Sequence, residues 1–469
     1  MSTPEIWCKD GEALVSANQF GTPEFDRGLE LLKKSASADC IEAKVALGHL
    51  YAQVHLLPDA ASEAAHWYRQ AAAQGHPVAQ DRLADLYMLG YGVARDDAEA
   101  LRWYARTAAM AYPHALCNLA YMHDEGLGTK SDACAATESY VRAAALADPR
   151  GLFNLGLRYM ANHEQSQDLQ AAHACLAMAA FARYPLAEEQ LAQLDAQLDS
   201  AARTKAIGLA ERLRERLRVI QQRLESDAAL AANPLVLLHF AEENLATLGE
   251  PALTVAAARD VSTGKPHQPD GPNVISATPH IFTVDNFVSE SECAHLQALA
   301  AARLAPARVA TRERLSGEQT AFTGEAAVFH LPDSDAVVRN IERRIAAIFD
   351  LPTSHVEPLS VLRYQANDRY APHLDYFDAA RLENNLRIGD HSGQRVASFL
   401  VYLRAPEAGG ETQYLKIGKK IAGRPRMALC HSNLTAAGAP DPMTLHTGAA
   451  VVKGEKWLAR TTLREKPLF

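Results

Sequence analysis

Small and hydrophobic residues recur at a fixed step through the first 200 residues of the chain. Alanine, leucine and proline each return every 36 positions in this region. The three series are Ala64, Ala100, Ala136 and Ala172; Leu47, Leu83, Leu119, Leu155 and Leu191; and Pro77, Pro113, Pro149 and Pro185. A repeat of roughly 20 to 50 residues is typical of a solenoid, in which each unit stacks on its neighbours.

Each repeat contains two helical patterns separated by a glycine turn. In the second unit, apolar residues at helical spacing predict one helix over Val78–Leu89 and another over Asp97–Met110. The turn between them, Gly90-Tyr91-Gly92, recurs as Gly126-Leu127-Gly128. A further helical pattern over Pro23–Ser37 indicates a half unit before the first complete repeat.

Aromatic residues also follow the repeat, because Trp67-Tyr68 returns as Trp103-Tyr104 and Ser139-Tyr140. Solenoids of this kind present a concave surface that binds peptides or proteins. Periodic apolar positions, however, more often pack in the core, and this is the favoured interpretation for any single residue of the series. No ligand-binding residue can be assigned within the repeats.

The pattern changes after the repeats. A long helical pattern covers 201–226, and a segment rich in Ser, Thr, Gly and Pro over 261–272 predicts an interdomain linker. Short strand-like runs then follow, with helical patterns at 289–303 and 335–349. The predicted parts are a repeat solenoid over 1–200, a helical spacer and linker over 201–273, and a strand-rich domain over 274–469.

Candidate metal-binding residues lie in a strand-like stretch of the strand-rich domain. Residues two apart on a strand point to the same side, so His373 and Asp375 would aim an imidazole and a carboxylate at one point. Two histidines and one carboxylate form the facial triad of non-haem Fe(II) sites, and His446 is the candidate for the second imidazole. The H-x-D pattern alone is weak in a chain with 18 histidines. The later His446 and Lys456, in this order, strengthen it.

The end of the chain predicts a hairpin. Gly448–Val452 and Lys456–Leu463 are strand-like and flank a Lys453-Gly454 turn. Such a hairpin would place Lys456 beside the strand that carries His446. A lysine is a point charge suited to holding a distant carboxylate.

The stretch from Arg363 to Trp457 resembles the 2-oxoglutarate- and Fe(II)-dependent dioxygenases, and specifically the prolyl 4-hydroxylase family. The resemblance extends over roughly 274–469, and His446 and Lys456 are ten residues apart as in that family. The matching residues are Arg363, Tyr364, Tyr370, His373, Asp375, Gly393-Gln394-Arg395, Tyr402-Leu403, Gly409–Thr412, His446, Gly448, Val451, Gly454, Lys456 and Trp457. The repeats resemble Sel1-like repeats, relatives of the tetratricopeptide class, most closely over Ala79–Ala109.

These resemblances imply a multidomain protein. An all-α solenoid of Sel1-like repeats would be followed by a double-stranded β-helix, or jelly-roll, oxygenase domain with flanking helices. The implied Fe(II) ligands are His373, Asp375 and His446. Lys456 would bind the far carboxylate of 2-oxoglutarate, with hydrogen bonds from Tyr364 and Thr412. O2 is the implied second cosubstrate, and L-ascorbate the reductant that rescues oxidised iron.

The chain departs from the family pattern at several positions. Asn367 stands where the family has Gly, Ala450 where it has Pro, and Thr462 where it has Trp. Arg424-Pro425-Arg426 replaces the usual Lys-Gly, and Thr320–Thr323 occupies a lid position where Arg-Thr-Ser is common. These changes affect turns and the substrate side, so the substrate stays open. Two polar segments, 304–325 and 378–392, are predicted to be lid loops.

Three functions fit these observations. The first is a dioxygenase that hydroxylates peptidyl proline, with a Sel1 module that recruits a protein partner or a peptide substrate. The second is an oxygenase that acts on another protein side chain or on a small molecule. The third is a Sel1 scaffold whose oxygenase domain is non-catalytic, although the intact ligand set argues against it. His391 and His431 are expected in loops or behind the ligands, since neither is followed by a lysine ten residues later.

Composition limits the binding partners and the cellular compartment that can be expected. The net charge of −9 argues against non-specific nucleic-acid binding, for which a basic surface would be expected. The seven cysteines are scattered singly, as expected for free thiols in a reducing compartment. Neither a signal peptide nor a long apolar stretch is apparent, so no membrane span is expected. We therefore expect a cytoplasmic protein.

Overall fold

The structure, a computed structural model, describes residues 3–17, 21–53, 59–161, 166–226, 267–307, 322–330, 334–378, 382–383 and 391–468. The chain forms two compact units. The first is Met1–Pro266 with Ser334–Val337, and the second is His267–Asp333 with Val338–Phe469. Most of both predicted lid loops and the first half of the predicted linker lie outside the described residues. None of the described helices has the length and apolar character needed to cross a membrane.

The first unit is helical. Its described helices are α1 (Pro4–Ala17), α2 (Pro23–Ser37), α3 (Ile41–Gln53), α4 (Ala60–Ala73), α5 (Pro77–Leu89), α6 (Asp97–Ala108), α7 (Pro113–Glu125), α8 (Ala133–Ala145), α9 (Pro149–Ala161), α10 (Ser166–Phe181), α11 (Ala187–Asp195) and α12 (Ser200–Ser226). Consecutive helices pack against each other from α1 to α11. The helices predicted in the second repeat and at the half unit agree with α5, α6 and α2 to within two residues.

The helix ends repeat because their capping residues repeat. Pro77 and Pro113 occupy the first turn of α5 and α7, where the missing N–H has no helical partner to lose. Gly90 and Gly126 end the same helices in the left-handed conformation, with φ of 78° and 68°. Glycine adopts this conformation without steric cost. The 36-residue step is therefore a step between equivalent helix starts and stops.

The repeated small residues allow the helices to approach closely. All four alanines of the series that begins at Ala64 are fully buried. Tyr68, Tyr104 and Tyr140 are buried as well, whereas Trp67 and Trp103 are half-buried. The tyrosines are thus packing residues of the solenoid, as periodic apolar positions predict.

Two glycines touch the backbone of the preceding repeat. Gly92 has φ +67°, and a Cβ added to it would lie 1.9 Å from the carbonyl oxygen of Ala61. Gly128 has φ +71°, and its added Cβ would lie 2.2 Å from the carbonyl oxygen of Asp97. Ala61 and Asp97 are themselves one repeat apart, so the same main-chain contact occurs twice.

The second unit contains antiparallel strands and two helices. The strands are β1 (Pro272–Ser276), β2 (Ile281–Val284), β3 (Ala305–Pro306), β4 (Glu325–Val328), β5 (Ser360–Tyr364), β6 (Tyr370–His373), β7 (Arg395–Arg404), β8 (Ala408–Gly409), β9 (Thr412–Tyr414), β10 (Lys419–Ile421), β11 (Ala428–Ser432), β12 (His446–Gly448), β13 (Val451–Lys453) and β14 (Lys456–Arg464). The helices are α13 (Glu290–Ala301) and α14 (Ala336–Ile348), close to their predicted bounds. Ser289 and Glu292 form a capping box at the start of α13.

These strands form the two facing layers of a double-stranded β-helix. The large sheet has the order β1-β2-β11-β7-β14-β5-β4-β3, and the small sheet has the order β10-β9-β12-β6. Apolar side chains from both sheets, including Leu362, Tyr402 and Tyr414, share one buried cluster. The fold predicted for this part of the chain is therefore confirmed.

The predicted terminal hairpin is wrong. β13 pairs with the short strand β8, whereas β14 pairs with β5 and β7 in the large sheet. The chain turns at Gly454, with φ +82°, and so passes from one sheet to another instead of folding back on itself. Lys456 consequently lies in the sheet opposite the one that carries His446.

The repeat glycines can be tested by one matched pair of substitutions. Gly75→Ala should cost about 1 kcal/mol, because Gly75 has φ +85° but no atom within 4 Å of an added Cβ. Gly92→Ala should cost a further 1–3 kcal/mol, roughly, because its Cβ would overlap the Ala61 carbonyl. The measurement is the urea midpoint of the helical circular-dichroism signal in the full chain. Equal losses in the two variants would contradict a structural role for the contact.

Candidate active site

The two candidate histidine ligands face each other across the small sheet. His373 ends β6 and His446 begins β12, and the two residues are direct partners in this antiparallel pair. Their ring centroids are 4.3 Å apart. Backbone pairing therefore brings together two residues that are far apart in the sequence.

Asp375 completes the group from outside the strand. β6 ends at His373, and Asp375 lies in the bend that follows, so the prediction that both residues lie on one strand is wrong. Its carboxylate still reaches both imidazoles, with 3.4 Å from Oδ1 to His373 Nε2 and 3.8 Å from Oδ2 to His446 Nε2. Across the residues that the structure describes, these three form the single group of potential metal ligands, with donor atoms within 4.8 Å of one another.

Both histidines are held in the tautomer that a metal requires. His373 Nδ1 lies 2.9 Å from the carbonyl oxygen of Ala371, and His446 Nδ1 lies 3.0 Å from that of Thr444. A carbonyl oxygen only accepts hydrogen bonds, so each Nδ1 carries the hydrogen and each Nε2 keeps a free lone pair. Both Nε2 atoms are the ones nearest to Asp375.

Electrostatics agree with a cation site. Burial lowers the pKa of His446 to about 3, against the opposing attraction of Asp375, so this imidazole is neutral at physiological pH. Burial alone would raise the pKa of Asp375, but the neighbouring His446, His373 and His431 hold it well below its usual range. Two imidazoles and one carboxylate fit the donor set of a facial Fe(II) site.

Further residues orient the Asp375 carboxylate. The Ser398 hydroxyl donates a hydrogen bond of 2.6 Å to Asp375 Oδ2 and accepts one of 3.0 Å from the Asn433 amide. His431 Nε2 lies 3.5 Å from the same Oδ2, and the Tyr414 hydroxyl lies 2.9 Å from His431 Nδ1. Groups that hold a ligand in this way commonly decide metal affinity.

The large sheet contributes a buried cation. Lys456 and Tyr364 are direct partners in the β14–β5 pair, and Lys456 Nζ lies 4.8 Å from the centre of the Tyr364 ring. The ammonium donates a hydrogen bond of 2.8 Å to the carbonyl oxygen of Gly410. Burial lowers the pKa of Lys456 to about 8, against the opposing attraction of Glu411. Among the described residues, no carboxylate forms an ion pair with this buried lysine, so it is suited to an anionic ligand.

One cavity joins the two halves. The residues predicted from the sequence all line it: Tyr364, His373, Asp375, Thr412, His446 and Lys456. Thr412 belongs to β9 of the small sheet, and its hydroxyl lies 2.7 Å from that of Tyr402. That Tyr364 and Thr412 bind a carboxylate stays a prediction, although both are buried in the cavity wall.

Sequence reasoning missed several residues of the site. Ser398 and Asn433 belong to segments whose pairing with the ligand region has no local signal. His431, expected in a loop or behind the ligands, lies on β11 behind Asp375, whereas His391 is exposed. Arg460 lines the same cavity. It could have been found, because it lies four residues after Lys456 and so on the same face of a strand.

Backbone conformation explains how two departures from the family pattern are accommodated. Asn367, in place of the family Gly, has φ +72°, and Arg426, in the replaced Lys-Gly segment, has φ +68°. These turns keep the left-handed backbone that glycine adopts most readily, and asparagine is the next most tolerant residue. Thr462, in place of the family Trp, is buried. All three lie outside the cavity lining.

Comparison with known proteins agrees with the geometry. The family model of the 2OG-Fe(II) oxygenase superfamily matches residues 359–463, and the Sel1 repeat model matches 41–76, 77–112, 113–148 and 149–180. Prolyl 4-hydroxylase 1 of Arabidopsis thaliana is 33% identical over 210 residues, which cover 42% of this chain and 72% of that protein. The chain belongs to the prolyl 4-hydroxylase family of 2OG-Fe(II) oxygenases.

Two solved structures are also similar to parts of the chain. The viral collagen prolyl hydroxylase from Paramecium bursaria Chlorella virus-1, in its 2OG complex, is 24% identical with a TM-score of 0.31. It covers 39% of this chain and 95% of its own. A Sel1 repeat protein from Oxalobacter formigenes is 26% identical with a TM-score of 0.37, over 44% of this chain and 62% of its own.

As a member of the prolyl 4-hydroxylase family, the protein is an Fe(II)- and 2-oxoglutarate-dependent dioxygenase. Its chain supplies the donor set that Fe(II) requires, and a buried lysine lines the same cavity. Fe(II), 2-oxoglutarate and O2 are thus the cofactor and cosubstrates expected from the sequence.

Removal of the hydrogen bond to Asp375 tests the support of the metal site. Ser398→Ala should weaken Mn(II) binding roughly 10- to 100-fold, because the carboxylate loses its orienting donor. Ser432→Ala is the matched control, since the Ser432 hydroxyl bonds the main-chain carbonyl of Leu434, two residues further along the chain. Calorimetric titration of the metal-free protein with Mn(II) gives both dissociation constants. Equal affinities in the two variants would show that Ser398 does not orient the ligand.

The pKa of Lys456 predicts a pH dependence for cosubstrate binding. Only the protonated lysine attracts a carboxylate, so 2-oxoglutarate affinity should be level below pH 8. It should then fall by up to about tenfold per pH unit above pH 8. Lys456→Arg should show no such fall over this range, because a guanidinium stays protonated. Calorimetry with the Mn(II)-loaded protein at several pH values tests this, and parallel pH profiles would rule the lysine out.

Proposed function

We propose that this enzyme hydroxylates a peptidyl proline, the activity for which its prolyl 4-hydroxylase relatives are named. The observation that carries the proposal is the single cavity that joins the triad of His373, Asp375 and His446 to Lys456. The 33% identity to a plant prolyl 4-hydroxylase supports proline as the residue that is modified.

The reaction couples two oxidations. With Fe(II) bound, 2-oxoglutarate and O2 are converted to succinate and CO2 while one oxygen atom enters a substrate C–H bond to give the alcohol. Each oxygen atom of O2 is thereby accounted for, one in succinate and one in the hydroxyl group. The protein has to bind the cosubstrate and the substrate, orient them toward each other, and exclude water.

The residues of the chain divide these tasks. Lys456 binds the far carboxylate of 2-oxoglutarate, and Tyr364 and Thr412 donate hydrogen bonds to it from the cavity wall. The near end of the cosubstrate then lies at the triad, where His373, Asp375 and His446 hold the metal. Lys456, Tyr364 and Thr412 are buried, which supports the exclusion of water from this end of the cavity.

The Sel1 repeats are proposed to recruit the protein partner or peptide substrate. Solenoids of stacked helix pairs present extended surfaces that suit this role. The proposed location is the cytoplasm, which is supported by seven cysteines that are free thiols.

The test is 2-oxoglutarate consumption by the full chain with Fe(II) and ascorbate. A proline-containing peptide should stimulate succinate release, and the same peptide with alanine in place of proline should not. His373→Ala should abolish turnover because a metal ligand is lost, with a loss of at least about a hundredfold. His391→Ala, which changes an exposed histidine away from the cavity, should leave turnover intact.

The identity of the hydroxylated product shows which substrate the enzyme uses. A mass increase of one oxygen on the proline of the peptide would establish proline hydroxylation. Turnover that is stimulated by free amino acids or other small molecules, but by no proline peptide, would overturn the proline assignment and favour a small-molecule oxygenase.

A further inference from the structure

A second cation lines the cavity. Arg460 lies on β14 four residues after Lys456, so both side chains leave the same face of the strand, with their Cα atoms about 13 Å apart. Leu458 lies between them on that face, and all three line the cavity. Arg460 has no place in the cosubstrate and metal roles derived above.

Arg460 lies at the solvent-exposed side of the cavity. Of the described residues that line the cavity, Tyr370, His373 and Arg460 keep partial solvent exposure, whereas the others, Lys456 and Thr412 among them, are buried. The Tyr370 ring stacks on the His373 imidazole with centroids 3.9 Å apart. These three side chains therefore form the rim through which a molecule from solvent reaches the triad.

The guanidinium lacks a strong partner. Within the described part of the chain, its one hydrogen bond goes to the Tyr370 hydroxyl at 3.5 Å, the outer limit for such a bond. Burial alone would lower the pKa of Arg460, but Asp375 and Tyr370 outweigh it and raise the pKa, so the group is always charged. A guanidinium has a fork of donors that matches a carboxylate.

The residues that line the cavity carry a net positive charge. Lys456 and Arg460 are positive and Asp375 is negative, which leaves a net charge of plus one on the lining. Glu411 attracts Lys456 from outside the lining. The rim at Arg460 therefore favours an anionic group of an incoming molecule.

We propose that Arg460 is a second carboxylate-binding group of this cavity, at its rim, and that it binds a carboxylate of the primary substrate close to the hydroxylated C–H bond. The inference rests on the proposed use of the cavity for 2-oxoglutarate. It adds a substrate class, since a peptide substrate would then present an acidic side chain or its C-terminal carboxylate close to the proline that is hydroxylated. The alternative source of the same chemistry is the near carboxylate of 2-oxoglutarate itself.

The first measurement addresses 2-oxoglutarate. Calorimetry gives its dissociation constant for the Mn(II)-loaded full chain as wild type, Arg460→Gln and Arg460→Lys. Arg424→Gln is the control, because Arg424 lies on the surface in an exposed ion pair with Asp285. Melting temperature and Mn(II) affinity verify that each variant is folded.

The second measurement uses acetate, the smallest organic probe of a carboxylate site. Acetate is added to the protein saturated with Mn(II) and 2-oxoglutarate, and the broadening of its NMR signal by the paramagnetic metal reports binding near the triad. We expect Arg460→Gln to weaken this binding roughly 10- to 100-fold, since a charge-assisted hydrogen bond is lost. Arg460→Lys should retain part of it, and Arg424→Gln all of it.

The outcomes separate the two sources. Loss of acetate binding with unchanged 2-oxoglutarate affinity assigns Arg460 to the primary substrate, as proposed. Weakened 2-oxoglutarate binding with unchanged acetate broadening assigns it to the cosubstrate and overturns the substrate assignment. Wild-type levels of both in Arg460→Gln overturn the whole proposal. Neither measurement needs turnover, so a failure of proline hydroxylation would not be mistaken for a failure of this inference.

Discussion

The site depends on two antiparallel sheets that face each other across one cavity. The small sheet contributes the histidine pair His373 and His446, and the large sheet contributes the pair Lys456 and Tyr364. Within each sheet, strand register sets one half of the site, because residues that are direct partners cannot shift without moving a whole strand. The separation of the triad from Lys456 is thus a property of the packing between the sheets, whose apolar residues share one buried cluster.

Buried charge is tolerated at Asp375 and Lys456 because each has stabilising neighbours. Asp375 receives a hydrogen bond from Ser398 and faces two imidazoles, and Lys456 rests on a main-chain carbonyl and two aromatic rings. Isolated charges in such surroundings would each cost several kcal/mol, roughly. The Lys456 ammonium thus has neutral neighbours: one main-chain carbonyl at 2.8 Å and two aromatic rings.

The sequence predicts repeats and ligand order far better than it predicts strand pairing. Helix bounds such as those of α2 and α5 follow from proline and glycine caps that recur every 36 residues, and these signals are local. The ligand and lysine positions follow from order and spacing. The hairpin is wrong because the change of sheet after β13 depends on long-range pairing, which leaves no trace in the hydrophobic pattern. Ser398 has no assignment from the sequence for the same reason, since only tertiary contact brings its strand behind Asp375.

The contacts of Gly92 and Gly128 have a consequence for how the solenoid can change over time. Both contacts join main chain to main chain, so the rise and turn from one repeat to the next are set by atoms that every residue possesses. Side chains on the outer faces of the helices then do not determine the curvature of the solenoid. The surface can acquire a new binding specificity by substitution alone while the superhelix keeps its pitch. The two glycines and the small residues beneath them cannot be substituted in this way.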